Sequence, residues 1–212
     1  MMLTFQIQLP AHLPEPAPLV VLLHGRGADE SDMLGLAPYL PGCMIAAVRA
    51  PFPAAPWGYG SGFAWYRYLG GARPDPQHLR QAVASLDEVL AALPAALPAP
   101  PSSLILGGFS QGGTVSLAYA LQHPGRVQVV LNLSGFLPDH PDVQVTPASV
   151  ANTTFYWPHG LHDPAIPHTL AVQGRAALLA AGACVAAPDY AIGHAIVREE
   201  LEDIAELVKA VS

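Results

Sequence analysis

Leu104-Ile105-Leu106-Gly107-Gly108-Phe109-Ser110-Gln111-Gly112-Gly113-Thr114-Val115-Ser116-Leu117-Ala118-Tyr119-Ala120-Leu121 runs from an apolar stretch through a glycine-rich turn into a second apolar stretch. Leu104 to Leu106 is short and unalternating, as in a strand covered on both faces of a parallel sheet. Val115 to Leu121 is apolar nearly all round, which suits a helix packed against the centre of such a sheet. The junction fits G-x-S-x-G at Gly108, Ser110 and Gly112, and strand before with helix after is the context that pattern requires. The serine of such a turn is held in a strained backbone conformation. Side chains two positions to either side would collide, so glycine stands there. The hydroxyl is then exposed above the sheet, and the helix N-terminus beneath it favours developing negative charge. The spacing alone is weak, because a glycine-rich turn before an ordinary helix also satisfies it.

Outward from this stretch the same alternation continues. Leu19 to Leu23 is a continuous apolar run ending at His24-Gly25, and Met44 to Val48, Val127 to Leu133, Thr154 to Trp157 and Cys184 to Ala187 read as further strands. Leu3 to Leu9 alternates weakly and reads as an edge strand. Between the strands the spacing turns helical. Met33, Leu36, Ala37 and Leu40 share one face, as do Leu79, Ala82, Val83, Leu86, Leu90 and Leu93 behind an Asp75 N-cap and Pro76. Leu170 to Ala180 and about Ile196 to Val211 complete the set. Strands alternating with helices predict an α/β chain with a mostly parallel central sheet and helices on both faces, here as one domain over 1–212.

A serine nucleophile needs an imidazole base oriented by a carboxylate, and in a strand–G-x-S-x-G–helix fold the chain order is serine, acid, histidine. Only His168 and His194 follow the serine and the plausible acids near 159–163. His194, in Tyr190-Ala191-Ile192-Gly193-His194, lies between the last strand and the last helix and is the candidate base. Asp163, in His159-Gly160-Leu161-His162-Asp163-Pro164, is the candidate acid, although an Asp before Pro is ordinarily a turn residue. The rival, Asp189, stands too near His194 on the same strand end. His24-Gly25-Arg26-Gly27 follows the strand Leu19 to Leu23, so the backbone N–H groups of Arg26 and Gln111 are the candidate oxyanion donors. His24 precedes the serine and reads as a structural histidine that bonds its loop.

Leu22-Leu23-His24-Gly25-Arg26-Gly27-Ala28-Asp29, Gly107-Gly108-Phe109-Ser110-Gln111-Gly112-Gly113, His159-Gly160 with Asp163 and Pro167, and Gly193-His194 together resemble the phospholipase/carboxylesterase family of α/β-hydrolases, which includes the acyl-protein thioesterases. The resemblance spans nearly the whole chain. It implies the α/β-hydrolase fold and hydrolysis of an acyl ester or thioester without metal or organic cofactor. It also implies backbone oxyanion donors at Arg26 and Gln111. Two positions depart from the pattern. Many relatives carry Leu where Arg26 stands, which bears on acyl-chain preference, and a hydroxyl residue where Ala195 follows His194.

The segment from Pro51 to Gly71 is long and irregular, with five aromatics from Trp57 to Tyr66. Loops of that length are functional or disordered, and the aromatics argue against disorder. By resemblance the segment lines the acyl pocket, with Trp65-Tyr66 the matching piece; Trp57, Phe63, Trp65 and Tyr66 are the candidate substrate contacts. The plain alternative for each is packing of a surface loop onto the core.

Composition narrows the partners. The chain has 212 residues, with 9 Lys and Arg against 16 Asp and Glu, a formal charge of −7. That balance argues against nucleic acid or an anionic membrane as partner. No apolar run approaches the roughly 20 residues that span a bilayer, and Met1 to Pro10 lacks the features of a signal peptide, so the chain reads as cytoplasmic. Cys43 and Cys184 read as reduced, small core residues. A homodimer is left open.

Three function classes compete. The first is a serine carboxylesterase or thioesterase acting on short- to medium-chain acyl groups, with lysophospholipase or acyl-protein thioesterase as its alternatives. The second is a metal-assisted hydrolase using His159, His162 and Asp163, whose loop setting would not align ligands as a helix does. The third is a binding module on a hydrolase scaffold, which would be expected to have lost a triad member or an elbow glycine; none is missing.

Overall fold

The computed structural model describes residues 3–210. Seven strands form the central sheet: β1 (Phe5–Gln8), β2 (Leu19–Leu23), β3 (Met44–Val48), β6 (Leu104–Phe109), β7 (Val129–Leu133), β8 (Thr154–Tyr156) and β10 (Cys184–Ala186). Their order is β1-β3-β2-β6-β7-β8-β10. β1 runs antiparallel to β3 at one edge, and every other pairing is parallel. Two small ladders lie outside this sheet: β4 (Phe52–Pro53) with β5 (Phe63–Ala64), and β9 (His159–Gly160) with β11 (Asp189–Tyr190).

The apolar runs alternate between the two faces. Leu19, Val21 and Leu23 of β2 point into one core with Met44, Ala46 and Val48 of β3. Val20 and Leu22 point into the other with Ile45 and Ala47. The first core is covered by α2 (Pro76–Ala92), α3 (Gln111–Gln122) and α4 (His168–Ala180); the second by α5 (Arg198–Ala210) and the segment after β2. α2 buries Leu79, Ala82, Val83, Leu86, Val89 and Leu90. Its Asp75 carboxylate accepts from the N–H groups of Gln77 and His78, both at 3.1 Å, a cap worth about 1 kcal/mol. α3 is buried on all sides from Gln111 to Leu121. None of the described helices is long and apolar enough to cross a membrane.

Two expectations are corrected. The face of Met33, Leu36, Ala37 and Leu40 is not one α-helix but a short α1 (Glu30–Met33) followed by a 3₁₀ stretch, Leu34–Tyr39. Pro38 lies inside it and has no N–H for an i→i−4 bond, and the tighter turn still buries Met33, Leu36 and Leu40. Cys184 is exposed rather than in the core, because β10 is the outer edge strand; Cys43 is buried, and both are free thiols.

The chain leaves β2 for β3 on one side and returns through α2 to β6 on the other. The loops leaving β2 and β6 therefore diverge at their carboxyl ends, the place where open α/β sheets form a ligand crevice.

Candidate active site

Ser110 occupies the bend between β6 and α3 with φ 56° and ψ −113°, a conformation that costs a non-glycine residue of order 1–3 kcal/mol. Tight packing enforces it. A Cβ on Gly108 or on Gly112 would run into the Leu23 carbonyl at the end of β2, so the bend sits directly against the neighbouring strand. The Ser110 N–H donates to Leu133 O at 2.8 Å. Its side chain caps nothing on α3 and is left available for chemistry.

The candidate base and the candidate acid come from two loops that the β9–β11 ladder sets side by side. Asp189 pairs with His159 and Tyr190 with Gly160. Beyond the ladder Leu161 N–H donates to Tyr190 O at 2.8 Å and His162 N–H to Ile192 O at 2.9 Å. Asp163 and His194 then face each other, with His194 Nδ1 2.6 Å from Asp163 Oδ2. The carboxylate can only accept, so Nδ1 carries the proton and Nε2 presents its lone pair. The Asp163 side chain is fully buried. Its other oxygen, Oδ1, accepts from the N–H groups of Ala165 and Ile166, both at 2.8 Å. Phe109 packs on the His194 ring at 4.6 Å. Ser110 and His194 line one cavity. Among the described residues no hydrogen bond joins them, a contact that in ligand-free enzymes often tightens only on binding.

His159, buried beneath the acid, donates Nε2–H to Ile166 O at 2.9 Å and lies 3.5 Å from Asp163 Oδ2. Burial pushes its pKa below the ordinary value, against the opposing pull of Ile166 O and Asp163, so it stands neutral under the loop. His162 is exposed. Among the described residues, His159, His162 and Asp163 do not come together as a three-ligand group. Asp189 points away from His194 and pairs with Arg175 Nη1 at 2.8 Å and His168 Nε2 at 2.9 Å.

The loop after β2 is anchored by His24. Its Nε2 accepts from Ala50 N–H at 3.0 Å, so Nδ1 is the nitrogen that donates to Gly25 O at 2.7 Å. Burial lowers its pKa, outweighing the Gly25 bond, and the neutral ring is a strut, as its place in the chain predicts. The backbone N–H groups of Arg26 and Gln111 enter none of the surrounding loop hydrogen bonds among the described residues, while Gly27 N–H goes to Phe63 O and Ala28 N–H to Gly25 O. The Gln111 side chain clamps the next segment, accepting from Trp65 N–H at 3.0 Å and donating to Tyr66 O at 2.9 Å.

The cavity holds about 180 Å³, smaller than pockets that enclose drug-sized ligands. Of the four predicted substrate contacts only Tyr66 lines it. Trp65 is fully buried, and its indole N–H donates to His24 O at 2.9 Å, so it supports the loop after β2 from below. Trp57 packs on Phe52 and His78, and Phe63 lies under the Arg49 guanidinium. Aromatic density marked the segment, but a strand-like alternation sends neighbouring side chains to opposite sides. Phe109, Tyr68, Phe136 and Ile166 line the cavity unpredicted. The sequence signal for Phe109 and Phe136 is position, since each lies three residues beyond the carboxyl end of a predicted strand.

A family model described as phospholipase/carboxylesterase matches residues 5–212. A rice protein (Oryza sativa subsp. japonica) named "probable carboxylesterase" is 29% identical over 204 residues, 90% of this chain and 86% of its own. An acyl-protein thioesterase 1 of Kluyveromyces lactis is 31% identical over 166 residues, covering 72% and 73% of the two chains. The crystal structure of a Bacillus cereus carboxylesterase superposes with a TM-score of 0.84 at 19% identity, covering 100% of this chain and 95% of that one.

Proposed function

Since the chain belongs to the phospholipase/carboxylesterase family, we propose that it is a serine carboxylesterase or thioesterase that works through an acyl-enzyme, with Ser110 as nucleophile, His194 as base and Asp163 as orienting acid. The observation that carries this reading is the 2.6 Å Asp163–His194 bond, which turns Nε2 toward the cavity that Ser110 shares.

Ser110 Oγ attacks the carbonyl carbon while His194 Nε2 takes its proton. The carbonyl oxygen becomes an oxyanion, and the N–H groups of Arg26 and Gln111 donate to it. Collapse breaks the bond to the leaving alcohol or thiol, which receives the proton from His194. Water then repeats the sequence on the acyl-enzyme, releasing the acid and restoring Ser110. The small cavity supports short acyl groups. A cytoplasmic setting belongs to the same reading and is supported by the two free thiols.

A fluorophosphonate should label one site, Ser110, with loss of p-nitrophenyl acetate hydrolysis, and Ser110→Ala should neither label nor hydrolyse. Labelling at another serine, or a Ser110→Ala variant with unchanged turnover, refutes the reading.

A further inference from the structure

Among the described residues Arg26 is the only arginine or lysine in the wall of the Ser110 cavity, and it forms no ion pair with any of them. Its guanidinium lies 4.6 Å over the Tyr59 ring. That platform is rigid. Tyr59 Oη accepts from Tyr68 N–H at 3.0 Å. Gly27 N–H donates to Phe63 O and Phe63 N–H to Ala28 O, both at 2.8 Å, which ties the loop carrying Arg26 to the segment carrying Tyr59. Gly27, at φ 85°, lies so close to the Tyr59 carbonyl that a Cβ would collide.

Tyr66 supplies an independent observation. It is fully buried and lines the same cavity, and its hydroxyl makes no hydrogen bond of full geometry, with the Thr114 hydroxyl as a neighbouring side-chain partner. The nearby Thr114 hydroxyl accepts from Phe136 N–H at 3.1 Å, and its second lone pair competes with a bound anion for the Tyr66 proton. Two donors, one charged and one without a fixed partner, thus come from residues that line the cavity holding Ser110. An alkyl chain satisfies neither and would desolvate both. An anionic oxygen accepts from both.

We propose that the Arg26 guanidinium and the Tyr66 hydroxyl form an anion subsite beside Ser110, so that the preferred ester or thioester carries a second group, a carboxylate or a phosphate, near its scissile carbonyl. This rests on the hydrolase reading above. The Arg26 backbone faces the oxyanion, so the anionic group lies within one arginine side chain of the reacting carbonyl, which suits short half-esters. Three acidic residues lie close by. Glu30 is neutralised by Arg49 through bonds of 2.6 and 2.7 Å, and Asp29 accepts from Ser31 N–H at 2.9 Å. Asp32, on the cavity rim, and Asp29, whose cap bond leaves its charge in place, oppose an anion.

The test compares kcat/KM within two matched pairs. 1-Naphthyl hydrogen glutarate against 1-naphthyl pentanoate places a carboxylate on the acyl side. 4-(Phosphonooxy)phenyl acetate against phenyl acetate places a phosphate on the leaving group. At least one anionic-to-neutral ratio should exceed one and identify the side. Arg26→Leu should lower that ratio about tenfold, chiefly through KM, and Tyr66→Phe should lower it less. Asp32→Asn should raise it, and salt should weaken it in the wild type but not in Arg26→Leu. Ratios that Arg26→Leu leaves unchanged, in a protein that cleaves the neutral esters, overturn the subsite and leave the hydrolase reading standing. A wild type inert toward all four esters overturns both.

Discussion

The two oxygens of Asp163 have separate tasks. Oδ1 holds the turn through Ala165 and Ile166, and Oδ2 holds His194. Asp163→Asn can keep the first task, because an amide oxygen still accepts. Its NH₂ would then face His194 Nδ1 and force that nitrogen to accept, moving the proton to Nε2, where it blocks attack. The expected loss in turnover approaches the roughly 10⁴ that the wrong tautomer costs serine proteases, with the fold intact. Asp189→Asn should do the reverse. It leaves the buried Arg175 guanidinium without its charged partner and should lower the melting temperature while turnover stays within a fewfold. Steady-state kinetics beside thermal melts of both variants decide; equal turnover losses would refute the division. Chain order admits both carboxyls, and the sequence reading separated them by the nearness of Asp189 to His194 on the same strand end. The partners of Asp189 were not legible, because Arg175 and His168 are neighbours only in the folded chain.

At the scale of the element, the segment from Trp57 to Tyr66 is part wall and part scaffold. Its aromatic density was plain in the sequence, but density does not say which ring faces the cavity. Trp65 and Tyr66 are adjacent, so one points beneath the loop after β2 and the other into the cavity. Trp65→Phe keeps most of the packing and removes the N–H bond to His24 O, a net loss of about 0.5–1.5 kcal/mol. Because the defect lies under the loop that carries Arg26, the proposed oxyanion donor, kcat/KM should fall by a similar factor for every p-nitrophenyl ester from acetate to decanoate. A shift of the optimum toward longer chains would instead restore Trp65 as a pocket wall. The elements most legible in advance were those with one cause, such as α2 with its cap and apolar stripe. The stretch after β2 was misread because Pro38 acts on hydrogen bonding, which side-chain periodicity does not register.

Across the whole molecule, one buried carboxyl couples stability to pH. Glu200, in the first turn of α5, is 2% exposed. Burial pushes its pKa up to about 8 despite a bond from Val197 N–H, with Asp203 adding to the rise. Below its ordinary value of 4.5 the group is protonated folded or unfolded, and its contribution is fully present. Between 4.5 and about 8 only the unfolded chain releases the proton, so stability is lost as pH rises. At about 1.4 kcal/mol per unit the window amounts to several kcal/mol. Buried His24 and His159 act oppositely, since their lowered values cost stability at acid pH. A comparison with Glu200→Gln isolates the carboxyl. The variant's melting temperature should gain on the wild type steadily from pH 5 to 8 and then run parallel; curves parallel throughout would refute it. Helical spacing marks Glu200 among the acidic residues of α5, since it lies four residues before Ile204 and eight before Val208 on the buried stripe; how completely that stripe is buried is set by tertiary packing and is not legible from spacing.

The separation between the bend at Ser110 and the rim around Arg26 has a consequence for descent with modification. The bend is fixed by backbone against backbone, where Gly108 and Gly112 meet the Leu23 carbonyl, so there is no room for a side chain at either glycine. The rim is made by side chains on irregular connections, Arg26, Tyr59, Tyr66 and Tyr68 among them, which tolerate replacement. Selection can therefore rewrite what such a chain accepts, one rim residue at a time, while inheriting the same reaction unchanged.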